Sequence, residues 1–278
     1  MKAIFLGLLT ILLLAAAPLS AQTNQSFQEL KANAEKGDAK AQYTLGLCYH
    51  EGQGVTKDYS ESVKWFRKAA EQGFTDAQFA LGSEYRKGEG VSKNMAEAVK
   101  WFRKAAEQNS AEAQFNLGGC YVMGEGVKKD YVEAVKWFRK AAEQDFAAAQ
   151  AKLGYCYYYG QGVTKDEAEA VIWYRKAAEQ NDTDAQNNLG VCYAFGTGVA
   201  KDYVEGYKWI LLAAAKGFDK AKQLMPVLEN TMTPEQIAEG QKLAREFKPR
   251  KESDSGNSTL PESLALTGTG FFITDDGI

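Results

Sequence analysis

The chain has 278 residues, a formal net charge of -3 and a single histidine. That length allows one large domain or two small ones, and the apolar and charged fractions are ordinary for a folded chain. Without a basic excess there is no electrostatic footprint for nucleic acid. One histidine, His50, leaves little for metal or acid–base chemistry, so no cofactor and no metal are expected.

Lys2 precedes an apolar, leucine-rich run, Ala3 to Ala17, which Pro18-Leu19-Ser20-Ala21 closes with small residues. A positive start, an apolar run and a small-residue end define an export signal. Residues 1–21 are therefore read as a signal peptide, and the product as exported, either periplasmic or secreted, with no stable membrane insertion after cleavage. An uncleaved anchor is the alternative, because the run approaches the ~20 residues that span a bilayer.

Residues 22–247 read as one solenoid. After a short polar leader, Ser26 to Lys36 is predicted to be a lone helix closed by Gly37. Five repeats follow, with Trp65, Trp101, Trp137, Trp173 and Trp209 marking an interval of 36 residues. A fixed period in this range is the mark of a repeat architecture.

Each repeat divides into two helices. The first, Asp38 to about Glu51 in repeat one, turns Ala41, Leu45, Cys48 and Tyr49 inward on one face. Gly46 recurs within it as Gly82, Gly118, Gly154 and Gly190. A mid-helix glycine costs ~1 kcal/mol against alanine, so its recurrence predicts a neighbouring helix too close for a β-carbon. The pair Gly52 and Gly54, with Val55 after it, reads as a tight loop with glycines at positive φ and a valine plug. A phosphate loop would follow a strand, and none is predicted.

The second helix opens with a predicted capping box, Asp58 with Glu61, repeated at Asn94/Glu97, Asp130/Glu133, Asp166/Glu169 and Asp202/Glu205. Val63, Trp65, Phe66, Ala69 and Ala70 face inward, leaving Lys64, Arg67, Lys68 and Glu71 to a solvated face. Gly73, Asn109, Asp145, Asn181 and Gly217 end these helices, residue types that tolerate left-handed backbone. From Ala221 the pattern fades into one more helix disturbed by Pro226. Thr233-Pro234-Glu235-Gln236 is a helix start, and the amphipathic stretch to Phe247 is expected to close the solenoid.

Leu45-Gly46-x-x-Tyr49, Gly52-x-Gly54-Val55, Asp58 and Trp65-x-x-x-Ala69-Ala70-x-x-Gly73, repeating every 36 residues, resemble Sel-one-like repeats, a branch of the tetratricopeptide superfamily. The resemblance implies an all-α fold: antiparallel helix pairs stacked into a right-handed superhelix. It also implies an adaptor or scaffold that binds protein or peptide, and it carries no catalytic residue.

Cys48, Cys120, Cys156 and Cys192 share one repeat position, where repeat two has Glu84. Neighbouring helices pack ~8–10 Å apart, too far for disulfides, so small buried hydrophobes are expected. Opposite the inward stripe of the first helices lies a row that should be polar yet is aromatic. It includes Tyr43, Phe79, Arg86, Phe115, Tyr155, Tyr158 and Asn187. This row is the predicted binding groove, on a concave wall, unless its rings pack between repeats. His50 lies on the same row and is expected at the surface.

Residues 248–266 are charged, serine-rich and read as a linker. Residues 267–278 contain Gly-Thr-Gly-Phe-Phe-Ile-Thr-x-Asp-Gly, which resembles the opening strand of trypsin-like serine proteases. Two readings follow: a non-enzymatic scaffold with a disordered tail, or the recognition module of a truncated protease. The chain as it stands is not expected to be an enzyme, because a serine-protease triad needs a histidine base beside the nucleophile and His50 lies on a solenoid helix.

Overall fold

The computed structural model describes residues 19–250. The expected protease-like strand at 267–278 and most of the signal segment lie outside them. Among the described residues there are 13 α-helices and no strand. The all-α solenoid therefore holds.

The first helix, α1 (Leu19–Glu35), begins earlier than the predicted Ser26. The repeats then alternate an A helix with a B helix: α2 (Ala39–Glu51) with α3 (Tyr59–Glu71), α4 (Thr75–Lys87) with α5 (Met95–Glu107), and α6 (Ala111–Met123) with α7 (Tyr131–Glu143). Next come α8 (Ala147–Tyr159) with α9 (Glu167–Glu179), and α10 (Thr183–Phe195) with α11 (Tyr203–Ala215). Each packs on the helix before and after it, and the closing pair is α12 (Asp219–Glu229) and α13 (Pro234–Glu246), with α13 returning onto α11. The core is a chain of apolar clusters, each shared by successive repeats, as where Tyr43, Phe79, Phe102 and Trp137 fall in one.

The mid-helix glycines sit beneath the ring or branched side chain of their own B helix. A β-carbon on Gly46 would stand 2.5 Å from the Phe66 ring, and one on Gly154 would stand 2.7 Å from the Tyr174 ring. In repeat five the same place is taken by Ile210. The second glycine of each Gly-x-Gly loop does a different job: a β-carbon on Gly90 (φ 67°) would overlap the Tyr59 carbonyl of the previous repeat. The loop is thus an inter-repeat contact, and Val91, Val127, Val163 and Val199 pack against the core beside it.

Caps depart from expectation in one half. Asp58 accepts from the Ser60 and Glu61 N–H groups, and Asn94 from Glu97 N–H. The expected return bond from the glutamate is replaced. Glu61, Glu97, Glu133 and Glu205 pair with Lys64, Lys100, Lys136 and Lys208 one turn on. In repeat four that lysine is Ile172, and Glu169 instead accepts from Trp173 Nε1 at 2.8 Å. A reciprocal capping box forms at α13, between Thr233 and Gln236. The B helices end in left-handed backbone at Asn109, Asp145 and Asn181, as the residue types predict.

Two polar ladders cross the repeats. Buried Gln78 donates to the Ala70 carbonyl at the end of α3 (3.2 Å) and accepts from Gln108 at the end of α5 (2.7 Å). The same pair of bonds recurs at Gln42, Gln114 and Gln150, and at Gln186 Lys216 supplies the second donor. Arg67, Arg103, Arg139 and Arg175, expected in water, instead donate to Tyr85, Tyr121, Tyr157 and Tyr193 of the next repeat.

Helix α12 runs through Pro226, and its Leu228 is buried with Met232 against Tyr207 and Ile210. After α13, Phe247 meets the Trp209 ring edge-on at 5.3 Å. Arg250, placed by sequence in the linker, donates its N–H to the Glu179 carbonyl and its guanidinium to Asp145, each at 2.7 Å.

Gly118→Ala is expected to destabilise the chain, because its new β-carbon would stand 2.6 Å from the Phe138 ring. Overpacking costs ~1–3 kcal/mol, more than the ~1 kcal/mol that alanine gains over glycine in a helix. Urea denaturation measures this, and adding Phe138→Leu should recover part of the loss.

Asp182 caps α10 by accepting from Ala185 N–H at 2.8 Å. Burial pushes its carboxyl up from 3.8 to about 6, with Asp184 adding to the rise and the Ala185 N–H opposing it. A raised folded value means that the folded state holds the proton more tightly. The penalty is therefore fully present above about pH 6 and fades as pH falls toward 3.8. Relative to Asp182→Asn, which keeps a capping oxygen, the natural chain should gain stability as pH falls through that window. Parallel denaturation curves for the two would contradict it.

Candidate binding surface

The predicted row does not stay together. Tyr43, Phe79 and Phe115 are only 3%, 1% and 3% exposed. Tyr43 lies 5.7 Å from the Phe66 ring and 5.3 Å from Phe74, the N-cap residue of α4. Phe79 and Phe115 sit likewise on Phe102 and Phe138. These rings fill the angle between a helix pair and the repeat that follows, so they are core and not groove. Counting around an isolated helix placed them outward; the stacking of the next repeat covers them. Asn187 is buried as well.

Arg86, Tyr155 and Tyr158 remain half-buried. Burial pulls the Arg86 guanidinium below its ordinary value, with Cys120 and Glu125 beside it opposing the shift. Burial also raises Tyr158, with Cys192 adding to it and Thr197 bonding to it. His50, expected at the surface, is 3% exposed and lies against the Tyr59 ring at 5.1 Å. The cysteines are unpaired; Cys120, Cys156 and Cys192 are buried, and burial pushes each thiol up to about 12.

The accessible apolar surface lies one residue further along the A helices. Met123, Tyr159 and Phe195 are 43%, 57% and 58% exposed. They occupy the same repeat position, the last residue of α6, α8 and α10, where repeats one and two have Glu51 and Lys87. Tyr159 gathers Tyr155 and Tyr158 at ring distances of 4.5 and 4.9 Å. The sequence signal was present in that column of five residues; it falls immediately before the loop glycine, where a helix-face count stops. Other exposed apolar residues, such as Val132 and Ile172, stand singly on B helices, which is normal for a protein surface.

Antiparallel helix pairs, closed by a divergent terminal pair and joined by repeated polar ladders, define a helical-repeat solenoid. The Sel1 repeat family model matches residues 39–74, 75–110, 111–146, 147–182 and 183–218. The chain belongs to the Sel1 repeat family, whose members are generally protein-interaction scaffolds. It is similar to the secretory immunoglobulin A-binding protein EsiB of Escherichia coli, with 44% identity over 69 residues, 25% of this chain and 14% of that protein. A 49-residue stretch is 39% identical to the ERAD-associated E3 ubiquitin-protein ligase component HRD3A of Arabidopsis thaliana, covering 17% of this chain and 7% of that one.

Among solved structures, c5321, a protective antigen of uropathogenic Escherichia coli with an SLR fold, aligns with a TM-score of 0.72 and 40% identity over 78% of this chain and 47% of its own. A Sel1 repeat protein from Oxalobacter formigenes aligns at 0.67 and 37% identity, over 84% and 98%. This chain thus spans less than half the length of the first three of these relatives. Among the described residues no helix is long and apolar enough to cross a membrane.

Phe115→Ala should cost ~3–5 kcal/mol, as for buried rings, whereas Tyr159→Ala should stay within about 0.5 kcal/mol. Denaturation midpoints of the two variants measure the contrast, and equal losses would contradict the assignment of core and surface.

Proposed function

We propose that the chain is an exported, non-enzymatic scaffold that binds protein or peptide along the A-helix ends of repeats three to five. The observation that carries this reading is the exposed column Met123, Tyr159 and Phe195, backed by Tyr155 and Tyr158. Contacts that dominate binding energy are enriched in large aromatic side chains seated at a partly desolvated centre. Tyr155 and Tyr158 are already half-buried there, so a partner completes their burial at little ordering cost. Nothing in this surface has the charge pattern of a nucleic-acid site. Export rests on Lys2 and the apolar run to Ala17.

The relative named for binding secretory immunoglobulin A makes that immunoglobulin the first partner to try. A photo-crosslinking residue placed at position 195 should capture it, or another extracytoplasmic protein, whereas one placed at position 172 on α9 should not. The variant Met123→Ser/Tyr159→Ser/Phe195→Ser should lose capture and keep its denaturation midpoint. Equal capture from both positions, or normal binding by the triple variant, would move the site elsewhere.

A further inference from the structure

The one histidine of the chain and the one repeat that lacks the shared cysteine meet at a single interface. His50 stands at the end of α2. Glu84, in α4 of the next repeat, holds the place of Cys48, Cys120, Cys156 and Cys192. Glu89 is the middle residue of the Gly-x-Gly loop that follows α4. His50 Nε2 lies 3.3 Å from Glu84 Oε1 and 3.9 Å from Glu89 Oε2. One ligand atom from each of the three falls within 4.8 Å of the others.

The side chains of His50 and Glu84 are 4% and 0% exposed. Neither imidazole nitrogen and neither Glu84 oxygen has a hydrogen-bond partner, and Glu89 Oε2 has no hydrogen bond beside its ion pair with Lys87. Buried polar atoms are nearly always partnered, and an unpaired buried carboxylate is costly. Such a group of orphans therefore points to something that collects them. A single shared proton bridges two of the three groups; a cation bridges all three. Ligands held at ~2.0–2.1 Å around a tetrahedral ion lie ~3.3 Å apart, close to the His50–Glu84 spacing.

We propose that His50, Glu84 and Glu89 bind one divalent first-row transition-metal ion of the zinc class across the interface of repeats one and two. Imidazole with carboxylates suits such ions, whereas Mg²⁺ and Ca²⁺ prefer all-oxygen shells. Glu89, 35% exposed, marks the way in, and the ion displaces its ion pair with Lys87, now 3.5 Å from the same oxygen. Three protein ligands leave a coordination position open to water or to a partner's group. The other interfaces lack the set: the equivalent trios are Arg86/Cys120/Glu125, Val122/Cys156/Gln161 and Tyr158/Cys192/Thr197.

The test uses the full chain, stripped with EDTA and titrated calorimetrically with Zn²⁺ alone, with Mg²⁺ as the comparison. The expected result is one-to-one binding of Zn²⁺ and a melting temperature that rises with Zn²⁺ and not with Mg²⁺. Glu89→Gln should weaken binding at least about tenfold. Its folding is not at stake, because glutamine stands at that position as Gln53 and Gln161. His50→Val, the residue of Val122, should do the same. Zn²⁺ binding unchanged in both variants would place the ion on the thiols or on surface carboxylates and overturn the proposal. No binding by the natural chain would also overturn it, leaving a proton-bridged His50–Glu84 pair.

Discussion

The solenoid depends on one buried glutamine per repeat. Each A helix carries it near its start, where it donates to a carbonyl in the last turn of the preceding B helix, as a second bond beside the backbone N–H that closes that turn. The same side chain then accepts from the residue that ends its own B helix. One amide therefore fixes the position of three helices. Losing such a buried amide removes both of its bonds between helices, each worth ~0.5–1.5 kcal/mol, so the stacking register is specified at every repeat. Lys216 can take the donor place in repeat five because only a donor is needed there.

The glycines decide distance where the glutamines decide register. With no β-carbon at Gly46 or Gly118, the ring of the B helix lies directly on the A-helix backbone. That close approach leaves an angle beside each ring, and Tyr43, Phe79 and Phe115 fill it. In repeat four the residue there is Ala151, and an aromatic, Tyr155, appears one turn later, half-buried beside Tyr159. The aromatic content of the A helices is thus moved from core to surface along the chain without changing the helix pair.

The two halves of the stack differ in chemistry as a result. Repeats one and two carry Glu51, Lys87, His50 and Arg86 at positions where repeats three to five carry Met123, Tyr159, Phe195, Val122, Tyr158 and Ala194, and repeat two has Glu84 where the other repeats have a cysteine. The backbone is the same in both halves, so the difference is a property of the surface and of single buried positions. A repeat scaffold is suited to this, because each unit contacts chiefly its neighbours and its stability sums over units and interfaces.

Although α1 starts earlier than its predicted Ser26, the 36-residue period, the helix boundaries within the repeats, the left-handed helix ends, the close approach at Gly46 and the closing helix after Thr233 were legible in the sequence. Each is local, set by spacing, caps or a residue type that tolerates one backbone conformation. What neighbours do to a face was not legible. Tyr43 reads as outward on its own helix and is covered by Phe74, where the chain enters α4; Arg67 reads as solvated and is held by Tyr85. His50 reads as a surface residue and is enclosed with Glu84, 34 positions away in the chain. The sequence alone determined the repeat and its two helices, because periodicity and capping act within one turn or one loop. Only the tertiary structure decided which aromatic rings are core, which are surface, and which charged groups meet, because burial depends on the repeat stacked alongside.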